Sequence, residues 1–81
     1  MGPEQLRRAI QARPFVNFVI RTVGGVQYQI DHPEFVALSA TGRSIAVYSV
    51  NDRVFDIVDT IMIESLEFGA DDRGSAERKT A

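Results

Sequence analysis

The chain is expected to fold as an α+β domain that is mainly β. An N-terminal helix leads into five short antiparallel strands that close into a small barrel or form one strongly bent sheet. Three observations predict this. A helical apolar stripe ends at Pro14; most of the chain from Phe15 to Phe68 alternates at the period of two expected of strands; and the alternating runs are broken by Gly, Asn, Asp and Pro at turn spacing. Eighty-one residues allow a single domain with a thin core.

Pro3 to Ala12 reads as the helix. Pro3 suits a first turn, where its missing N–H costs nothing, and Glu4 lies near the positive end of the dipole. Leu6, Ala9 and Ile10 fall on one narrow face, while Arg7, Arg8 and Gln11 fill the rest of the circumference. Pro14 ends the element by pushing Arg13 out of the helical region.

Phe15–Val23 reads as a strand with Val16, Phe18 and Ile20 on one face, and Val26, Tyr28 and Ile30 alternate with Gln27 and Gln29 in the next. Gly24-Gly25 is expected to join them in a two-residue turn, because both positions accept positive φ. A short helical turn is predicted over 33–38. There His32 is the cap, Pro33 is in the first turn, Asp31 and Glu34 have capping-box spacing, and Phe35 and Leu38 face the core. After a turn at Thr41-Gly42-Arg43, Ser44–Val50 has Ile45 and Val47 on one face and Ala46, Tyr48 and Val50 on the other. Asn51-Asp52-Arg53 turns the chain into Val54–Asp59, where Phe55 and Ile57 oppose Val54 and Val58. Two strands apolar on both faces point to a barrel, or to a sheet covered by the N-terminal helix. Ile61–Phe68 changes the parity of its apolar residues midway, which requires a bulge or a short 3₁₀ turn. The domain is expected to span 3–68. The remainder, 69–81, has alanine as its only apolar residue type and reads as a disordered tail.

The opening Pro14-Phe15-x-x-Phe18-x-Ile20, Gly25, His32-Pro33-Glu34-Phe35, Gly42-Arg43 and Val47-Tyr48 occur in the order of a family of small uncharacterised bacterial proteins. That family shows a PF-x-PF-x-I opening and an HPEF-like segment, and this chain resembles it over residues 4–68. Asn17 stands where the family has its second proline. The resemblance implies no activity. The order of elements is also similar to SH3-like and Sm-like small barrels. Sm-like proteins assemble through strand edges and bind RNA with loop residues. Their Asp-x-x-x-Asn pattern is replaced here by Asp31-His32-Pro33-Glu34-Phe35, and the Arg-Gly step before their last strand by Asp59-Thr60.

Absence of cysteine removes disulfides and thiolate chemistry. No basic-then-apolar leader opens the chain and no apolar run nears the ~18–20 residues of a membrane span, so a cytoplasmic location away from membranes is expected. Net charge is −2 but unevenly placed. Arg7, Arg8, Arg13 and Arg21 outnumber Glu4 in the first thirty residues, whereas Arg43 and Arg53 face seven carboxylates over 31–68.

Catalytic constellations do not assemble in this sequence. No nucleophile elbow surrounds Ser39, Ser44, Ser49 or Thr60, and Gly24-Gly25 precedes a strand instead of a helix N-terminus. Asp56 and Asp59, three apart in a strand, point to opposite faces. No cofactor and no enzymatic activity are expected. The reading that remains is a non-catalytic binding or assembly module, self-associating as a homo-oligomer or docking on a protein partner. Its candidate contacts are His32, Glu34 and Arg43. One alternative is a nucleic-acid-binding accessory domain using Arg7, Arg8 and Arg13 on phosphates. The other is a metal-dependent enzyme around His32 with Asp31 and Glu34 as co-ligands.

Overall fold

Helix α1 (Pro3–Gln11) forms where its apolar stripe requires it: Leu6 and Ala9 are buried and Ile10 packs beside them. Nine residues are too few to hold a helix in water, so this stripe anchors it. Arg13 finishes the helix, its guanidinium donating to the carbonyls of Ile10 and Ala12 at 3.1 and 2.7 Å, where the dipole favours a cation. The computed structural model describes residues 2–49, 54–69 and 78–80, with 49, 54 and 78–80 described by their backbone.

Two sheets follow. The first carries β1 (Phe18–Thr22), β2 (Gln27–Ile30), β6 (Ile63–Phe68) and the short β7 (Arg78–Thr80), in the order β6-β1-β2-β7. Its first three strands are antiparallel, and β7 lies parallel beside β2. The second sheet is antiparallel in the order β3-β4-β5, from β3 (Val36–Leu38), β4 (Ser44–Ser49) and β5 (Val54–Asp59). The expected five-stranded barrel is therefore corrected: the antiparallel strands number six, and they form two sheets that do not close on each other. Two 3₁₀ turns, Pro33–Phe35 and Thr60–Met62, carry the chain between the sheets in place of bent continuous strands.

The added strand is β3. The helical turn expected over 33–38 stops at Phe35, and Val36–Leu38 pairs with Val47–Ile45. This register puts Val36 and Leu38 on the core side with Ile45 and Val47. The β1–β2 connection also differs from expectation. Pairing of Phe18 with Ile30 and Ile20 with Tyr28 leaves Val23-Gly24-Gly25 as a three-residue loop, closed by Thr22 N–H donating to the Val26 carbonyl at 3.0 Å. A two-residue turn would pair odd with even positions and split the apolar residues between faces, so the core sets the register against the turn. The parity change after Asp59 has both expected causes, a 3₁₀ turn and a register shift between Arg21 and Thr22 opposite β6.

The core lies between the sheets. Phe18, Ile20, Tyr28, Ile30 and Ile63 come from one; Val36, Ile45 and Val47 from the other; and Leu6 and Ala9 close the side. Burying such a side chain contributes about 1.5–3 kcal/mol. Of the tail read as disordered, Gly69 is a turn and 78–80 form β7; residues 70–77 and 81, like the turn expected at 51–53, lie outside the described residues. No helix among the described residues is long and apolar enough to cross a membrane.

One polar contact ties the sheets together. The Tyr28 hydroxyl on β2 donates to Asp56 on β5 at 2.9 Å. Burial pushes the phenol up to about 12, helped by the hydrogen bond to Asp56 and by its negative charge. An unfolded tyrosine titrates near ~10, so above that pH the unfolded chain loses a proton that the native state keeps. The contact thus stabilises fully below pH ~10 and is lost as pH rises to the native value. The Tyr48→Phe protein, with Tyr28 as its sole tyrosine, is expected to ionise near 12 in an ultraviolet titration, its denaturation midpoint falling across that window. A phenol titrating near ~10 in the folded protein would show that the bridge does not form.

Candidate interaction surface

The strands of the second sheet are apolar on both faces, and among the described residues only the inner face is covered. Ile45, Val47, Val36 and Val58 turn inward. Pairing of Ala37 with Ala46 and of Ala46 with Ile57 lays one row across the outer face, and Tyr48 paired with Phe55 lays the next. Phe55 is 62% and Ile57 69% exposed, beside a Tyr48 that is 43% exposed. Phe35 packs against the core from the 3₁₀ turn, its ring centre 6.3 Å from that of Tyr48. Helix α1, one of the two expected ways of covering strands apolar on both faces, packs Leu6, Ala9 and Ile10 on the core between the sheets instead.

These rows carry no charged side chain. Among the described residues the nearest carboxylate on the same face is Asp59, opposite Ser44 at the end of the ladder, where it accepts from the Ile61 N–H at 3.1 Å and caps the 3₁₀ turn. Asp56 points inward to Tyr28, so the two aspartates diverge as their spacing requires. Over the alanine row lies an open hollow of about 220 Å³, bounded by Ala37, Ala46, Ser44 and Ile57. Among the described residues β5 is the terminal strand of its sheet, and the inward-pointing Asp56 is a charge of the kind that guards such an edge.

Two other apolar areas lie elsewhere. Val16 and Phe68 border a hollow of about 270 Å³ beside Arg8 and Ala12. Val23, Val26, Ile61 and Met62 are exposed, with Val23 bonded through its N–H to the Met62 carbonyl.

The residues expected from sequence to make contacts do not converge. His32 and Glu34 precede β3, and Arg43 precedes β4; because these strands are antiparallel, they stand at opposite ends of the sheet. His32 holds the cap position of the 3₁₀ turn without a side-chain hydrogen bond, and its ring meets Phe35 edge-on at 5.4 Å. The capping box is not formed, since Asp31 accepts from the Gln29 amide at 3.0 Å. Glu34 and Arg43 are exposed, and the Arg43 carbonyl accepts from the Thr60 N–H at 2.8 Å.

The arginines are also dispersed. Arg7 pairs with Glu4 at 2.8 Å, Arg13 is turned onto helix carbonyls, and Arg8 stands exposed beside the Phe68 hollow. Among the described residues, no three of His, Asp and Glu stand close enough to share a metal ion. The outer sheet face was missed by sequence reasoning, although its signal was present: the two-sided apolar pattern of β4 and β5. Comparison of the chain with protein-family models, with curated proteins and with solved structures yields no match.

Proposed function

We propose that the protein is a non-catalytic assembly module that self-associates, burying the outer face of the β3-β4-β5 sheet. The observation that carries this is the exposure of Phe55 and Ile57 in adjacent outer rows with Tyr48, Ala46 and Ala37 and no charge among them. Apolar side chains exposed side by side on one face mark binding sites more often than single scattered ones do.

The test is the mass in solution of the native chain and of Ile57→Asp. Light scattering at tens of micromolar is expected to give a mass above 9.0 kDa for the native chain and the monomer for the variant. Circular dichroism of the two should coincide, because Ile57 makes no part of the core.

A further inference from the structure

Gln27 and Gln29 turn their main-chain groups away from the body of the first sheet. The Thr22 N–H donates to the Val26 carbonyl at 3.0 Å, so the even positions of β2 bond to β1 and the odd ones face the other way. β7 takes up that edge. Its parallel register sets Gln27 with Arg78, Tyr28 with Lys79 and Gln29 with Thr80. This aims the Lys79 N–H at the Gln27 carbonyl and the Gln29 N–H at the Lys79 carbonyl. Every other strand pair among the described residues is antiparallel. β7 consists of Arg, Lys and Thr and brings no apolar side chain, so its hold on β2 rests on main-chain bonds and charge.

The charges at this edge are complementary to its occupant. Lys79 stands at the register position of Tyr28, whose hydroxyl donates to Asp56 at 2.9 Å. Thr80 stands at that of Gln29, whose amide donates to Asp31 at 3.0 Å. Two carboxylates thus flank the strand position that receives two adjacent cations. Arg21, opposite Gln27 on β1, is itself paired with Glu67 at 3.0 Å.

We propose that the outer edge of β2 is an acceptor for an extended basic segment of a partner protein, added to the sheet as a parallel strand, and that Arg78–Thr80 occupies this edge in the free chain as a built-in competitor. In strand addition the main-chain bonds supply affinity and the flanking side chains supply specificity. Here the specificity is for cations between Asp31 and Asp56. Three residues in a parallel pairing make few bonds, although attachment to the same chain holds them at an effective concentration on the order of millimolar. A partner segment that pairs along all of Gln27–Ile30 makes more bonds and displaces them. A second copy offers the same three residues without the advantage of attachment, so it is not the occupant. The site is separate from the outer face of the second sheet.

The test uses the full chain and its Lys79→Pro variant, in which proline removes the N–H aimed at Gln27 and vacates the edge. Amide exchange at Gln29 should quicken at least about tenfold in the variant, while exchange at Ile30, which bonds to β1, stays within about twofold. A fluorescent peptide copying residues 75–81 should bind the variant at least about fivefold more tightly than the native chain. Asp56→Asn in the variant keeps an acceptor for the Tyr28 hydroxyl and removes the charge; it should weaken the peptide at least about threefold, as should replacing both cations of the peptide with glutamine. Unchanged exchange at Gln29 would show that β7 does not hold the edge and overturns the proposal. So does a peptide that fails to bind the variant, or binds it no better than the native chain. Binding indifferent to Asp56 and to the peptide's cations overturns the basic partner. None of these readouts involves Phe55 or Ile57, so a failure here leaves the self-association reading standing.

Discussion

Replacing Phe18 with alanine is expected to cost about 3–5 kcal/mol, a large share of the stability a chain of this size holds. Phe18 sits on the central strand of its sheet and is fully buried. Its ring lies 5.8 Å from that of Phe15 and 5.7 Å from that of Phe68, so it joins the entry of β1 to the end of β6. At ~0.05–0.15 kcal/mol per residue, a chain of 81 residues holds on the order of 4–12 kcal/mol in all. Urea denaturation of Phe18→Ala should therefore show a midpoint far below that of the native chain. Phe55→Ala is the control. The same truncation on a ring that is 62% exposed should cost under ~1 kcal/mol in the monomer. Equal losses at the two positions would mean that the sheets do not face each other as described.

The second large effect is expected at Gly42. Its φ is +77°, a region that costs a residue with a side chain about 1–3 kcal/mol. It is also crowded: a Cβ there would stand 2.8 Å from Cβ and 2.9 Å from Cγ of Pro3. That neighbour belongs to a rigid ring at the start of α1, so the helix must move, and overpacking adds about 1–3 kcal/mol. The turn cannot give way on its other side, because the Thr60 hydroxyl donates to the Gly42 carbonyl at 2.9 Å. Gly25 separates the two terms. Its φ is +90°, but nothing lies within 4 Å of a Cβ placed there. Gly25→Ala should thus show the backbone cost alone, and Gly42→Ala the backbone cost plus displacement of α1. Thermal melts of the pair measure the difference, which should vanish if the overlap with Pro3 is relieved without cost.

Where alternation was long, the sequence was a sufficient guide. β5 was legible over its whole length, 54–59, and β1, β2 and β4 in their apolar faces, because a buried face imposes a period of two on four or more residues. β3 was not legible. Three residues directly after Pro33-Glu34-Phe35 carry too little period to compete with the helix-starting signals before them. The three-residue loop at 23–25 was hidden by its glycines, which suit a shorter turn equally well and yield to the parity of Phe18, Ile20, Tyr28 and Ile30. The candidate surface shows the same boundary. Ala46, Tyr48, Phe55 and Ile57 announced a second apolar face, but alternation cannot tell a face covered by its own chain from one left for another. Reading that face as covered led to a closed barrel; two separate sheets leave it open. The polar candidates His32 and Arg43 stand eleven positions apart in sequence and at opposite ends of an antiparallel ladder, a separation that residue type alone does not reveal.

The claim on which the functional account turns is that the β3-β4-β5 face is buried by association. It is tested most directly by the mass of the native chain, followed by light scattering or sedimentation from several hundred micromolar to below one micromolar. A small apolar interface predicts a mass that falls from twice 9.0 kDa to the monomer across that range, with Ile57→Asp monomeric at every concentration. A native chain that is monomeric at the highest concentration, or an Ile57→Asp protein that associates as the native one does, would contradict it.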